Sequence, residues 1–140
     1  MNAPTDAVEP IWRPSPERIA NAMLTRFTDF LRREHGLDFA DYESLWRWST
    51  TEIEAFWAAA WTFCGMRCFA PYREVLHERT MPGARWFDGA MVNYADQMLW
   101  RAAEPGWAER PAIVFSSEIV ARREVSWGAL AAQAGALAAT

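Results

Sequence analysis

Residues 81–99, MPGARWFDGAMVNYADQML, combine an aromatic pair with two turn signals. Pro82-Gly83 and Asp88-Gly89 are dipeptides that favour turns, and they bracket the short apolar segment that contains Trp86 and Phe87. Because these two side chains have large apolar surfaces to remove from water, the stretch is predicted to be a packing centre of the fold.

A helix is predicted to begin just after this aromatic pair. Asn93 is a favourable N-cap and Asp96 places a negative charge in the first turn. The helix is predicted to run to about Ala103, before Pro105-Gly106 end it. It is expected to bury three apolar side chains: Tyr94, Met98 and Leu99.

The composition indicates a globular domain with an unusual aromatic content. Of the 140 residues, 51% are hydrophobic, which is close to the average for folded proteins. The nine tryptophans and eight phenylalanines are more unusual. So many large rings need a well-formed core or a partner surface.

The charge pattern argues against nucleic-acid binding. The net charge is −4, and all fourteen basic residues are arginines, whereas nucleic-acid-binding domains usually carry a clustered basic excess. The absence of lysine also removes the amine used in Schiff-base chemistry and the compact ammonium that often holds a phosphate.

The cysteines and histidines do not form a metal-binding motif. Cys64 and Cys68, taken with His35 and His77, lack the ligand spacing of a structural zinc site. The two cysteines are interpreted as free, buried thiols in a reducing compartment. The sequence has no secretory leader and no apolar run long enough for a membrane span, so a cytoplasmic protein without membrane contact is predicted.

The N-terminal part predicts an arm followed by a helix. Residues 1–14 are expected to form a flexible arm, in which Ile11-Trp12 dock on the chain itself rather than on a partner. Ser15 is a typical N-cap with Pro16 at the first helical position, and Gly36 is a typical terminator. These signals predict one helix of about twenty residues.

Two further helices are predicted before residue 66. Asp41 is expected to cap a short helix, and Ser49 and Glu52 are expected to form a capping box at the start of the next one, which Gly65 ends. An aromatic stripe of this kind could line a cofactor slot, but it is interpreted as a core-facing surface. Its members are Ile53, Phe56, Trp57, Ala60, Trp61 and Cys64.

The C-terminal part predicts strands and a final helix. A short strand is expected at residues 75–77. Residues 112–115 and a second run ending at Val125 predict a β-hairpin with its turn near residues 119–122. Ser126 is expected to cap a helix that continues to Thr140 without a terminating signal, so the chain is expected to stop inside an element.

The residues alone assign no catalytic, cofactor-binding or metal-binding site. The cluster Ser116-Ser117-Glu118 adjoins a strand, and it is interpreted as part of the hairpin turn because it lacks the glycines of a phosphate-binding loop. Glu52 and Glu54 point to different faces of a helix and cannot act as an acid–base pair. No nucleophile can be paired with either histidine.

The segment WFDGAMVN, residues 86–93, resembles a segment near the start of short-chain acyl-CoA synthetases. The longer string PGARWFDGAMVNYADQML, with PIWRPSPERIANAMLTRF upstream, is similar to the N-terminal region of the acetoacetyl-CoA synthetase family, within the AMP-forming adenylating superfamily. The resemblance runs from about Pro10 to the last residue. Asp88 stands where relatives tend to have Pro, and Val92 where Leu is usual; both are interpreted as surface or conservative changes.

The resemblance implies an α-rich α+β fold. Residues 15–103 would form the family's N-terminal helical cap. Residues 104–140 would be the start of the AMP-binding domain, namely a β-hairpin and the first helix of an incomplete α/β adenylating domain.

The resemblance also implies an activity for the full-length enzyme. Acetoacetate, ATP and CoA would give acetoacetyl-CoA, AMP and pyrophosphate, so ATP, Mg²⁺ and CoA are the implied cofactors. The family's glycine-rich loop ending in lysine, and the second lysine on its C-terminal lid, have no counterpart in this lysine-free sequence. The chain is therefore interpreted as an N-terminal fragment, inactive alone, whose partner is the downstream part of the same enzyme.

Two alternatives remain open. One is a fragment of an acetyl- or propionyl-CoA synthetase, although the string PSPERIANAMLTRF favours the acetoacetate branch. The other is a free-standing, aromatic-rich interaction module. A fragment that leaves apolar surface uncovered is also expected to self-associate.

Overall fold

The computed structural model describes residues 11–139. The chain divides into two compact units, Met1–Phe63 and Cys64–Thr140. Within the described residues, six α-helices, a 3₁₀ turn and two two-stranded sheets make an α-rich α+β architecture, which confirms the predicted fold class. Most of the predicted arm, residues 1–10, lies outside the described residues. The predicted limits at residues 14/15 and 103/104 stay predictions.

The first unit is built from four helices. They are α1 (Pro16–Ala20), α2 (Met23–His35), α3 (Tyr42–Thr51) and α4 (Ile53–Phe63). Before α1, Trp12 is 65% exposed and the guanidinium of Arg18 lies 5.5 Å from its ring centroid. Of the two residues predicted to dock on the chain itself, Trp12 thus contacts the chain at Arg18 without being buried, and Ile11 is fully exposed.

The single long helix predicted from Ser15 to Gly36 is interrupted after its first turns. Its two ends are confirmed: the Ser15 hydroxyl accepts the Arg18 amide, and Gly36 ends α2 in a left-handed conformation. The break falls at Asn21, whose side-chain amide donates to the Glu17 carbonyl at 3.0 Å. Such a local side-chain bond competes with helix continuation, and Ala22 is extended.

The capping prediction is confirmed for α3 and wrong for α4. The Ser44 amide donates to the Asp41 carboxylate at 2.8 Å, and the Asp41 amide donates back to the Ser44 hydroxyl at 3.2 Å. Hydrogen bonds to its carboxylate, first from the Ser44 amide and then from the Ser44 side chain, hold the pKa of Asp41 below its usual range. Ser49, by contrast, lies inside α3 and donates to the Trp46 carbonyl, while Glu52 ends that helix.

We expect Asp41→Ala to lower the free energy of unfolding by about 1 kcal/mol, because the first turn of α3 loses its acceptor. Ser49→Ala is the matched comparison. Its hydroxyl bond is redundant with the helix ladder, so the change in stability should stay below about 0.5 kcal/mol. Urea denaturation of both variants measures the difference. Equal losses of unfolding free energy in the two variants would indicate that Ser49 acts as a helix cap.

The core of the first unit lies between α2, α3 and α4. Leu31 is fully buried, and it clusters with the buried residues Phe27, Leu45 and Ala59. Rings surround this cluster: Phe27 packs 5.1 Å from Phe63 and 5.9 Å from Phe56, measured between centroids. The core thus consists of three aliphatic side chains and Phe27, with further aromatic rings packed against them.

The buried side of α4 differs from the predicted stripe. Phe56, Ala59 and Phe63 face the cluster, whereas Trp57 is 43% exposed and Cys64 is exposed. The helix is apolar over most of its circumference, so periodicity alone does not select the buried side. The core-facing interpretation therefore holds for Phe56 and is wrong for Trp57 and Cys64.

The second unit contains the strands. Its elements are β1 (Glu74–Glu78), β2 (Arg85–Asp88), α5 (Tyr94–Leu99), a 3₁₀ turn (Trp100–Ala103), β3 (Pro111–Phe115), β4 (Arg123–Ser126) and α6 (Trp127–Ala138). β1 confirms the strand predicted at residues 75–77, and β2 was not predicted. The two strands pair antiparallel, with Leu76 opposite Trp86.

The predicted packing centre has the expected local elements but not the expected burial. The Asn93 side chain caps α5, and a 3₁₀ turn continues the helix to Ala103. However, Trp86 is 43% and Tyr94 is 78% exposed, and Met98 is also exposed. In this unit the buried apolar side chains among the described residues are Val75 and Leu76 on β1.

The C-terminal hairpin and helix are confirmed. β3 and β4 pair antiparallel, and the Ser126 hydroxyl caps α6 by accepting the Ala129 amide. The turn lies slightly earlier than predicted. Ser117 makes it, because its hydroxyl accepts the amides of Ile119 and Val120 at 3.3 and 3.0 Å. The Ser117 side chain thus stabilises this turn, a role that glycine or asparagine has in other hairpins.

Candidate functional site

The two histidines each have a local packing partner. His35 ends α2 and its ring meets Phe30 edge-on at 5.5 Å between centroids, and His77 on β1 is hydrogen-bonded to Glu74. Within residues 11–139, neither histidine is hydrogen-bonded to a serine or cysteine, and no three His, Cys, Asp or Glu side chains converge to hold a metal ion. These groups show no nucleophile–base arrangement.

Cys64 and Cys68 are free thiols, but both are exposed. The prediction that they are buried is wrong. They follow the end of α4, where the chain turns at Gly65 in a left-handed conformation, so they project from a loop rather than from a packed helix face.

The segment that carries the family resemblance forms a charged cluster at one end of the β1–β2 hairpin. We call Arg73, Arg85, Asp88 and Gly89 the Asp88 cluster. The Asp88 carboxylate pairs with the guanidinium groups of both arginines, and its side chain is only 16% exposed. The Arg73 amide also donates to the Asp88 carbonyl at 2.8 Å. The interpretation of Asp88 as a surface substitution is therefore wrong.

The electrostatics of the Asp88 cluster are those of a structural salt bridge. Hydrogen bonds from Arg73, which has the larger effect, and from Arg85 hold the pKa of Asp88 below its usual range. The carboxylate is therefore ionised at neutral pH, and both of its oxygens are occupied by guanidinium groups. A carboxylate held in this way does not exchange protons near neutral pH.

Gly89 is required by this geometry for two reasons. Its φ of +86° is in the left-handed region. In addition, a Cβ at this position would lie 3.0 Å from the Arg73 guanidinium. The preceding Phe87 also has a positive φ, +50°, and its ring packs 5.3 Å from Tyr72. The turn after β2 is therefore fixed by both backbone conformation and the salt bridges.

A second set of polar contacts joins the loop before β1 to α5 and to the residues just before that helix. The Arg67 amide donates to the Gln97 side chain at 2.8 Å, and the Arg67 guanidinium pairs with Asp96 at 3.2 Å. The Phe69 amide donates to the Met91 carbonyl at 2.7 Å. The two Arg67 contacts link residues 30 and 29 positions apart, and local sequence patterns give no signal for them.

Comparison with known proteins connects this segment to one class of enzyme. The family described as acetyl-coenzyme A synthetase N-terminus matches residues 42–98, which include the whole Asp88 cluster. An acetoacetyl-CoA synthetase from Danio rerio is 37% identical over 91 residues, covering 64% of this chain and 13% of that protein. A malonamoyl-CoA synthetase from Penicillium aethiopicum is 28% identical over 127 residues, covering 89% of this chain and 17% of that protein.

A solved structure extends the similarity to three dimensions. Acetoacetyl-CoA synthetase from Streptomyces lividans matches with a TM-score of 0.76 and 38% sequence identity over 86% of this chain. This chain is homologous to the N-terminal region of acetoacetyl-CoA synthetases. The resemblance predicted from residues 86–93 is thereby confirmed.

This acyl-CoA synthetase homologue is short beside its relatives. It spans 13% of the Danio rerio protein and 18% of the Streptomyces lividans chain. Within its described residues, every helix is too short or too polar to cross a bilayer. Within the described part of the matched region, the Asp88 carboxylate pairs with both Arg73 and Arg85 at one end of the hairpin.

Proposed function

We propose that this chain is the N-terminal segment of an AMP-forming acetoacetate–CoA ligase. The complete enzyme would convert acetoacetate, ATP and CoA to acetoacetyl-CoA, AMP and pyrophosphate. The observation that carries the proposal is the match to the Streptomyces lividans synthetase, which extends over 86% of this chain at 38% identity.

The role proposed for the segment itself is structural. Adenylation of a carboxylate needs cations and exposed backbone amides around the triphosphate, with acids to hold Mg²⁺. The chain has no lysine, and Asp88, the half-buried acid of the matched region, is already paired with two arginines. ATP, Mg²⁺ and CoA are accordingly proposed to bind to downstream polypeptide of the same enzyme, and this segment is proposed to be inactive alone.

The apolar surface of β3 supports a structural role. Ile113, Val114 and Phe115 are each roughly half exposed. Successive side chains of a strand point to opposite faces, so β3 presents apolar groups on both. Strands of this type are usually covered on both sides in α/β sheets. We propose that the downstream polypeptide covers β3, and that the chain alone self-associates through this surface.

The acyl substrate proposed for the complete enzyme is a short acid with a carbonyl group at its β-carbon. The acyl groups named in the relatives, acetoacetyl and malonamoyl, share this feature and differ only in carrying a methyl or an amino group beyond it. Acetate and propionate, the alternative substrates, lack it. A full-length enzyme that activated acetate faster than acetoacetate would contradict this part of the proposal.

A chimera tests the proposal against the alternative of a free-standing interaction module. The matched part of the Streptomyces lividans synthetase is replaced by the corresponding part of this chain, and acetoacetate-dependent ATP–pyrophosphate exchange is measured. We expect the chimera to exchange at a rate within about tenfold of the parent enzyme, because the segment supplies structure and not reacting groups. The chain alone should match a mock preparation.

Two controls make this experiment decisive. The parent enzyme without its matched segment should be inactive, which shows that the replaced part is required. A thermal melt of the chimera shows whether it is folded. A folded chimera without exchange activity would refute the proposed role and favour the interaction module. Exchange by the chain alone would refute the proposal that this segment is inactive by itself.

A further inference from the structure

Arginine and tryptophan side chains stack together between α5 and α6. We call Trp100, Arg101, Trp107, Arg110 and Trp127 the Trp107 cluster. The guanidinium carbons of Arg101 and Arg110 both lie 4.7 Å from the ring centroid of Trp107, and Arg101 also lies 4.9 Å from that of Trp100. Trp107 meets Trp127 edge-on at 6.4 Å. Two guanidinium groups therefore share one indole.

The backbone around the Trp107 cluster is firmly held. The Trp127 amide donates to the Arg110 carbonyl at 3.0 Å, and the Gly128 amide donates to the Ala108 carbonyl at 2.9 Å. A side chain on Gly128 would lie 3.2 Å from the Ala108 carbonyl oxygen, so this close approach needs glycine. Ala108 and Arg110 are thus held on the first turn of α6, and the guanidinium groups of Arg101 and Arg110 lie over the indole of Trp107.

The two arginines differ from most of their neighbours in having no acidic partner. In this unit Arg67, Arg73, Arg85 and Arg122 each pair with a carboxylate. Within residues 11–139, no ion pair joins Arg101 or Arg110 to an acid, although Glu104 and Glu109 are close in sequence. Stacking on an indole leaves the N–H edges of a guanidinium available to donate.

The geometry sets the size of group that can bridge the arginines. Both guanidinium carbons lie 4.7 Å from the ring centroid of Trp107. The two carbons are therefore at most twice that distance apart. One or two carboxylates on a short peptide can span such a gap, each accepting from a planar N–H fork. We propose that the Trp107 cluster is a docking surface for an acidic polypeptide segment, whose carboxylates bind Arg101 and Arg110.

A polypeptide fits this surface better than a free anion or a nucleic acid. Arg101 and Arg110 are exposed, and an exposed ion pair with a small anion gains little because water remains around it. A peptide would also cover the half-buried edges of Trp100 and Trp107 and exclude that water. A nucleobase would have to displace a guanidinium to stack on Trp107.

Binding of a hexaglutamate peptide to the full 140-residue chain tests the proposal. Tryptophan fluorescence reports the titration, and calorimetry confirms the stoichiometry. We expect saturable binding that weakens as the salt concentration is raised from about 0.05 to about 0.3 M. Arg101→Gln/Arg110→Gln should bind about tenfold or more weakly. Arg122→Gln/Arg123→Gln, which removes the same charge at the start of β4 and from the residue before it, should bind as the unaltered chain does.

A second variant separates the geometry of the guanidinium groups from their charge. Arg101→Lys/Arg110→Lys keeps both charges but loses the planar fork, so most of the affinity should again be lost. Equal binding by the Gln variant, or no saturable binding by the unaltered chain, would overturn the proposal. Tighter binding of pyrophosphate or of a single-stranded oligonucleotide to the same arginines would also overturn it, in favour of a small-anion or nucleic-acid site.

Discussion

Leu31→Ala is expected to lower the free energy of unfolding of the first unit by about 2–5 kcal/mol, which is the range for truncating a buried leucine. Leu31 is fully buried among Phe27, Leu45 and Ala59. Bulky rings surround this cluster and cannot collapse easily into the space that the leucine leaves, so part of the loss would come from a residual cavity.

Leu24→Ala is the matched control for this effect. It makes the same chemical change on the same helix, α2, at a side chain that is 47% exposed. Its expected loss is below about 1 kcal/mol, because much less apolar surface is removed from contact. Urea denaturation followed by far-ultraviolet circular dichroism compares the two variants. Similar midpoints for both would show that the core is not centred on Leu31.

Gly89→Ala is expected to destabilise the second unit by about 1–3 kcal/mol. The left-handed backbone at this position disfavours any Cβ by about 1–2 kcal/mol. The new methyl group would also lie 3.0 Å from the Arg73 guanidinium, which would have to shift within its salt bridge to Asp88. The variant should therefore lose both backbone stability and part of the salt bridge.

Gly135→Ala is the control, and its expected effect on stability has the opposite sign. Gly135 lies within α6, and a Cβ there meets nothing within 4 Å. Alanine should stabilise that helix by about 0.5–1 kcal/mol through its greater helix propensity. Thermal melts of both variants give the comparison. A Gly89→Ala variant that melted at or above the unaltered protein would contradict the role of the Asp88 cluster.

Local signals in the sequence predicted the element boundaries well where a side chain contacts its own backbone. Ser15, Asp41, Asn93 and Ser126 were each predicted as N-caps, and each accepts the expected amide. The failure at Ser49 has the same physical basis. A hydroxyl can accept from a following amide or donate to a preceding carbonyl, and only the path of the chain decides between the two.

Burial was much harder to predict than secondary structure. The large aromatic rings of Trp57 and Trp86 suggested a core, yet Leu31 and the small Ala59 occupy it. A ring's size sets how much surface it could bury, but the neighbours that bury it come from distant parts of the chain. Helix α4 is apolar on several sides, so its pattern fitted more than one orientation.

The candidate charged site depended on pairings that no local pattern reveals. Arg73 and Asp88 are 15 residues apart, and they meet because β1 and β2 pair with Glu74 opposite Asp88. The four residues of β2 are too few for a periodic signal. The family resemblance was predictable because it rests on residue identity rather than on the contacts that those residues make.

The exposure of the two thiols has a practical consequence. Cys64 is the first residue of the second unit, Cys68 follows shortly after it, and both side chains reach solvent. Maleimide dyes would thus attach beside the junction of the two units, and no further cysteine competes for the label. Single-molecule fluorescence could use this site without any engineered attachment point.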